Sequence, residues 1–320
     1  MKPPYIITNS ILQLVASISE KIGEVNATHL NKPHAELRKS NRIRTIQSSL
    51  EIEGNTLTIE QITAILENKR VSGPKKDILE VKNAITVYDR LHEFKASNIQ
   101  SLLKAHKLLM TGLVEFPGKL RNKSVGIVKG SKITHIAPGG EMVKPLLNDL
   151  FNYLKTSKDL ALIKSCVFHY ELEFIHPFMD GNGRMGRLWQ TVILKEQYPI
   201  FEFLPVETIV KKKQAKYYKA LSMSDNSGSS TIFIEFMLEV ILNSLEELLS
   251  TQNTSLTGID RINLFKSFIR ENTFTRKDYL RNFKEISPAT ASRDLKEGVE
   301  RNILKKMGDK RISTYRFITD

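Results

Sequence analysis

Residues 176–189, HPFMDGNGRMGRLW, hold a histidine, an aspartate, three glycines, an asparagine and two arginines. The run Asp180-Gly181-Asn182-Gly183 cannot lie inside a helix, where glycine costs about 1 kcal/mol and Asp and Asn favour turns and caps. Apolar residues at helical spacing flank it, so the stretch reads as helix, tight turn, helix. Successive N–H groups of a Gly/Asn turn form an anion-binding concavity, and a helix beginning at about Gly183 adds its positive end. Arg184 and Arg187 lie three apart and share a helix face, where two guanidinium forks match phosphate oxygens. Asp180 is a hard oxygen ligand suited to Mg²⁺ bridging phosphates. His176, ending the preceding helix before Pro177, can serve as a general base. Taken singly, these are a structural histidine, a C-cap and a solvated face. Together they make a nucleotidyl- or phosphoryl-transfer site.

Helical patterns must carry that turn. They run over Ser10–Asn26, His34–Leu50, Thr58–Glu67, Lys76–Glu93, Asn98–Met110, Lys144–Thr156, Leu160–Phe174, about Gly183–Gln197, Val210–Met223 and Ser230–Gln252. Thr58 with Gln61 approaches a capping box. Within 118–140, two β-prone runs, Ser124–Val128 and Lys132–Ile136, flank KGS and predict a hairpin. A lone hairpin is marginal in water, so it reads as a lid or recognition element over a site. After a linker at 250–258, residues 259–320 read as helices followed by two short strands around MGDKR, a winged helix-turn-helix pattern.

The 320 residues suffice for two or three domains, and 41% hydrophobic with 26% charged residues is ordinary for a soluble globular chain. Cys166 is the only cysteine, so no intrachain disulfide forms, and seven scattered histidines offer no zinc cluster. The start MKPPYIITNS lacks an apolar leader core, and no run of about 18 apolar residues occurs; the expectation is a cytoplasmic protein with no membrane partner. A net charge of +13 suits anionic partners. There is no GxxxxGK[ST] loop and no kinase signature set, so the turn itself must hold the nucleotide.

The stretch HPFMDGNGRMGR resembles the signature of the Fic (Fic/DOC) family, H-P-F-x-D/E-G-N-G-R-x-x-R, at every fixed position. AHKLLM at 105–110, FPGKLR at 116–121 and the hairpin resemble the Fic core as well. The resemblance implies a mainly α fold: a Fic-type helical core with a β-hairpin flap, here followed by the winged-helix domain. Its expected organisation is an N-terminal helical region (1–94), a core (95–250) with its flap at about 124–136, and the winged helix (259–320). It implies a protein adenylyltransferase, using ATP and Mg²⁺ to move AMP to a Ser, Thr or Tyr hydroxyl of a target protein docked on the flap. His176 would deprotonate the hydroxyl and Asp180 would hold Mg²⁺. The backbone of Gly181, Asn182 and Gly183 would form the anion hole, with Arg184 on the β-phosphate and Arg187 on the γ-phosphate. Phe178 would pack inward. KYYKAL at 216–221 resembles the adenine-side helix and nominates Tyr218 and Leu221, with Asp225 where some relatives carry Asn. Tyr217 and Tyr218 as plain core residues remain the alternative.

SSLEIEGNTLT at 48–58 resembles the family's inhibitory motif, S/T-x-x-x-E-G/N, through Ser49, Glu53 and Gly54. The resemblance implies an inhibitory helix at about 43–54 whose Glu53 pairs with Arg187 and keeps the γ-phosphate out. The same Glu53 could position a water for removing AMP, and a homodimer that stabilises the inhibited form is compatible. Two rivals stand beside this reading. In the Doc-like kinase branch the second glycine is lysine, and Gly183 speaks against it. The other rival is a DNA-binding regulator acting through 259–320. Residues 261–320 hold 15 Lys+Arg against 8 Asp+Glu, a net of +7, with Ser292, Arg293, Lys296, Lys305, Lys306, Lys310 and Arg311 on the recognition helix and wing.

Overall fold

Helices begin where a side chain can accept a hydrogen bond from the freed N–H groups of the first turn. The computed structural model describes residues 3–27, 35–124, 126–129, 132–255, 257–269, 273–284, 286–308 and 313–318. In it, Thr58 and Gln61 close a reciprocal capping box ahead of α3, and Asn98 caps α5 through the N–H groups of Gln100 and Ser101. The chain divides into two units, 1–245 and 246–320.

The first unit runs α1 (Asn9–Ala27), α2 (Ala35–Ile52), α3 (Ile59–Leu66), α4 (Lys75–Asp89), α5 (Ile99–Met110), β1 (Gly126–Lys129), β2 (Lys132–Ile136), α6 (Gly140–Thr156), α7 (Ala161–Ile175), α8 (Asn182–Gln197), α9 (Val206–Lys212) and α10 (Gln214–Ser227). The division between the units falls within α11 (Thr231–Ser255). Helix α7 buries Leu162, Cys166, Phe168, His169, Leu172 and Ile175 on several faces, as a core helix must. It packs along α8, whose Trp189 is fully buried, donates Nε1–H to the Ala96 carbonyl at 3.0 Å and meets Phe151 and Phe168. Strands β1 and β2 pair antiparallel from Gly126↔Ile136 to Lys129↔Lys132, with an irregularity between Ile127 and Val128.

Several boundaries differ from those read in the sequence. Helix α6 starts four residues early, at Gly140, and carries Pro145 inside it, where one backbone hydrogen bond is forgone. The single helix expected at Val210–Met223 is two, α9 and α10, broken at Lys213 without a glycine or proline to mark it. Helix α4 ends at Asp89, and Leu91–Glu93 form a separate 3₁₀ turn. Most of the expected linker is helix, because α11 continues to Ser255.

The second unit contains α12 (Gly258–Phe268), β3 (Phe274–Thr275), α13 (Arg276–Asn282), α14 (Pro288–Glu300), β4 (Leu304–Met307) and β5 (Thr314–Phe317). The sheet order is β3-β5-β4, both pairs antiparallel. Its core gathers Ile262, Phe265, Phe274, Tyr279, Phe283 and Leu295. Ser287 caps α14, with Pro288 in the first turn. Buried Arg261 grips Asp294 through Nε at 2.6 Å and Nη2 at 2.8 Å, and the Tyr279 hydroxyl donates to the same carboxylate. Among the described residues no helix is long and apolar enough to cross a membrane.

Candidate active site

Helix α7 stops because His176 turns left-handed, at φ 49° and ψ 60°. A non-glycine residue there is uncommon, and one preceding a proline ordinarily stays extended. Arg121, 4% exposed, holds the distortion in place. Its Nε donates to the His176 carbonyl at 2.6 Å and its Nη2 to the Ile175 and Pro138 carbonyls at 3.0 and 2.7 Å, while its backbone N–H meets the Pro177 carbonyl at 2.9 Å. The carbonyls orphaned at a helix C-terminus thus find a cation. Strain clamped in this way is typical of a functional position.

The turn is closed by the side chain of Asn182. Its Oδ1 accepts from the Phe178 N–H and its Nδ2 donates to the Phe178 carbonyl, both at 2.9 Å. Gly181 takes φ 84°, a conformation that favours glycine, and a Cβ there would stand 2.8 Å from the Met110 sulfur. Phe178 is fully buried and stacks on His106 with ring centroids 3.6 Å apart. His106 Nδ1 accepts from Gly118 N–H at 2.8 Å, which leaves Nε2–H to donate to the Asp180 carbonyl at 3.0 Å.

Burial drives His106 down to about 4 and His169, on α7, down to about 3. Both rings are neutral in the folded protein. The unfolded chain gains a proton on each as pH falls through about 6.5, and the folded chain does not until those lower values, so stability is lost between them. At pH 5 the His106 contribution amounts to roughly 2 kcal/mol. In urea unfolding, the loss of stability between pH 7 and pH 5 is expected to shrink by about that amount in His106→Asn; an unchanged loss contradicts it.

The two arginines lie buried on α8. Arg184 Nη1 donates to Glu80 of α4 at 3.0 Å and its Nη2 to Asp180 at 3.1 Å. Arg187 Nε donates to the Ser49 hydroxyl at 3.1 Å, and its Nη2 to the Ser49 carbonyl at 2.9 Å and to Glu53 at 2.7 Å. Burial opposes the charge of Arg187, but Glu53, with Tyr217 and Glu173 nearby, outweighs it, so the guanidinium sits above its ordinary range. Gly183 faces the same carboxylate, since a Cβ there would meet Glu53 Oε1 at 2.5 Å and Glu173 Oε1 at 3.3 Å. Helix α2, which Glu53 directly follows, packs on α9; Ser48 and Thr208 hydroxyls lie 3.2 Å apart and Gln214 donates to the Ile52 carbonyl. Gly54 follows at φ 93°.

Most of the residues nominated from the sequence therefore converge: His176, Asp180 to Arg184, Arg187, Ser49 and Glu53. Tyr218 and Leu221 lie on α10, both half-buried, and burial together with the Glu53 charge raises the Tyr218 hydroxyl. Tyr217 is a core residue, its hydroxyl 3.0 Å from His169 Nε2 and donating to Glu173. Asp225 accepts from the Tyr170 hydroxyl at 2.9 Å. Sequence reasoning missed Glu80, His106 and Arg121 as supports. It also missed Glu207, which burial pushes up to about 7 and which lines a small cavity with Arg187. Lone polar residues in helical patterns carried no signal beyond their own type.

Among the described residues no group of three His, Cys, Asp or Glu could hold a metal ion by itself. Asp180 offers one half-exposed carboxylate, its Oδ1 taken up by Gly181 N–H and Arg184. Such a donor suits a magnesium ion that draws its other ligands from phosphate and water.

A left-handed histidine, a glycine turn at a helix start and two buried arginines thus lie together on consecutive turns of the chain. The Fic/DOC family model matches residues 96–194. A solved structure of a Fic family protein from Desulfovibrio desulfuricans G20 is 39% identical, covers 100% of this chain and 99% of that one, and superposes with a TM-score of 0.77. This chain belongs to the Fic family. Fic-1 from C. elegans, at 21% identity and a TM-score of 0.60 over 76% of this chain and 75% of that one, shares the fold. The protein adenylyltransferase fic-1 of Caenorhabditis briggsae is 29% identical over 76% of this chain and 50% of that protein. The protein adenylyltransferase Fic of Drosophila willistoni is 28% identical over 72% and 47%. The chain thus spans about half the length of the curated relatives it matches.

Proposed function

We propose that this chain is a protein adenylyltransferase, taking ATP as substrate and held inactive by Glu53. One observation carries the reading: a carboxylate already occupies the start of α8, paired with Arg187 at 2.7 Å and lying over Gly183. A site that already holds a carboxylate beside a helix start, paired with a buried guanidinium, is chemically ready for phosphate. The adenylyltransferase names of the relatives from C. briggsae and D. willistoni support the same chemistry.

In the reaction, His176 takes the proton of the target's hydroxyl as that oxygen attacks the α-phosphorus, the bond to the bridging oxygen breaks and pyrophosphate leaves. Backbone N–H groups of 181–183 and the two arginines carry the charge, so catalysis rests on positioning and electrostatics. Asp180 would hold Mg²⁺, which supplies charge neutralisation on the phosphates when bound. Tyr218 and Leu221 would border the adenine, and the β1–β2 hairpin would pair with an extended target segment. Label from ATP carried at the α-phosphorus should pass to protein, and label at the γ-phosphorus should not; the reverse pattern would make it a kinase.

A second activity is proposed for the second unit, as a winged helix that binds DNA. The exposed Arg293 and Lys296 on α14 and Lys305 and Lys306 on β4 favour it, while Lys310 and Arg311 lie outside the described residues. A salt-sensitive mobility shift with DNA fragments that disappears on deleting 259–320 is the expected result, and binding that survives the deletion contradicts it.

A further inference from the structure

Arg184 is fixed from two sides. The Asp180 side chain in front of it is half exposed, and the Glu80 side chain behind it is only 8% exposed. Glu80 also accepts from Asn55 Nδ2 at 2.8 Å, so each of its oxygens has a donor. A guanidinium is a rigid plane, and giving its two terminal nitrogens to two different carboxylates sets the orientation of that plane. Asp180 is the carboxylate assigned to the metal, so it cannot serve as a constant partner of Arg184 through the reaction. A guanidinium 5% exposed needs a lasting countercharge, and Glu80 is the buried one in contact with it.

From this geometry we infer that Glu80 is a positioning residue: through Arg184 it sets the affinity for the β-phosphate of the nucleotide, and so favours di- and triphosphates over a monophosphate. The inference rests on the nucleotide reading given above. Asn55, two residues beyond Glu53, ties the same carboxylate to the inhibitory segment. That segment therefore reaches both arginines, one through Glu53 and the other through Glu80.

The test is titration calorimetry of ATP, ADP and AMP with Mg²⁺, in the Glu53→Gly protein so that the site is open. Adding Glu80→Gln should weaken ATP and ADP about tenfold and AMP less than twofold, the size of one charged hydrogen bond. In an Arg184→Ala background the same change should do almost nothing further, because its effect passes through that side chain. A general structural role would instead weaken all three nucleotides alike and add in full to Arg184→Ala, and either result overturns the inference. Unchanged or tighter ATP binding overturns it as well. Should Glu80→Gln fail to fold, Glu80→Asp keeps the charge but draws it back by one methylene, and the same selective loss is expected. If the Glu53→Gly parent binds none of the three nucleotides, the adenylyltransferase reading itself falls.

Discussion

Glu53→Gly is expected to raise AMP transfer ten- to a hundredfold over the wild-type chain, read as incorporation of α-labelled AMP into the protein itself. A charge-assisted hydrogen bond contributes about 1.5–3 kcal/mol, and every 1.4 kcal/mol is a factor of ten. Arg187 is almost wholly buried, whereas the Glu53 side chain is 31% exposed, so the carboxylate can leave for solvent and the arginine cannot follow. Stranding a buried guanidinium is ordinarily expensive, but on the proposed function the γ-phosphate of ATP would take the place of the carboxylate. Helix α2 keeps its other anchors, Ser48 on Thr208 and the Ile52 carbonyl under Gln214, so the change opens the site without unfolding the helix. Equal incorporation by both proteins would remove the inhibitory role of Glu53 and leave the rest of the site untouched.

The second large effect belongs to His176. In the Glu53→Gly background, His176→Ala is expected to lower the rate of transfer by a factor of about 10² to 10⁴, the usual contribution of a general base. ATP affinity should stay within about twofold, because the proposal assigns phosphate to the turn and the arginines and not to the imidazole. The chain path should also persist, since Arg121 grips the carbonyls of Ile175 and His176, which survive the substitution. A rate within tenfold of the parent would show that the proton goes elsewhere.

The turn could be read from sequence because each of its residues answers to a local rule. Gly181 needs a positive φ, Gly183 needs space at a helix start, and Asn182 closes a loop with its own side chain. The flanking helices followed from apolar spacing, and the capping box at Thr58 from three residues. What stayed hidden is tertiary. Glu80, in KKDILEVKNAITVYD, looks like one more charge on an amphipathic helix, and only the folded chain shows it buried against Arg184. Arg121 and His106 likewise gain meaning from carbonyls more than fifty residues away in the chain. The break at Lys213 carries neither Gly nor Pro, and the Ser- and Thr-rich end of α11 is helical despite its modest propensity.

The most direct measurement is intact and peptide mass spectrometry of the Glu53→Gly protein after incubation with ATP and Mg²⁺ in cell lysate, beside the Glu53→Gly, His176→Ala double variant. The result expected is a single AMP group on a Ser, Thr or Tyr hydroxyl, present with the first protein and absent with the second. A phosphate in place of AMP, or AMP appearing equally with both proteins, would contradict a transferase built on His176 and the 181–187 turn.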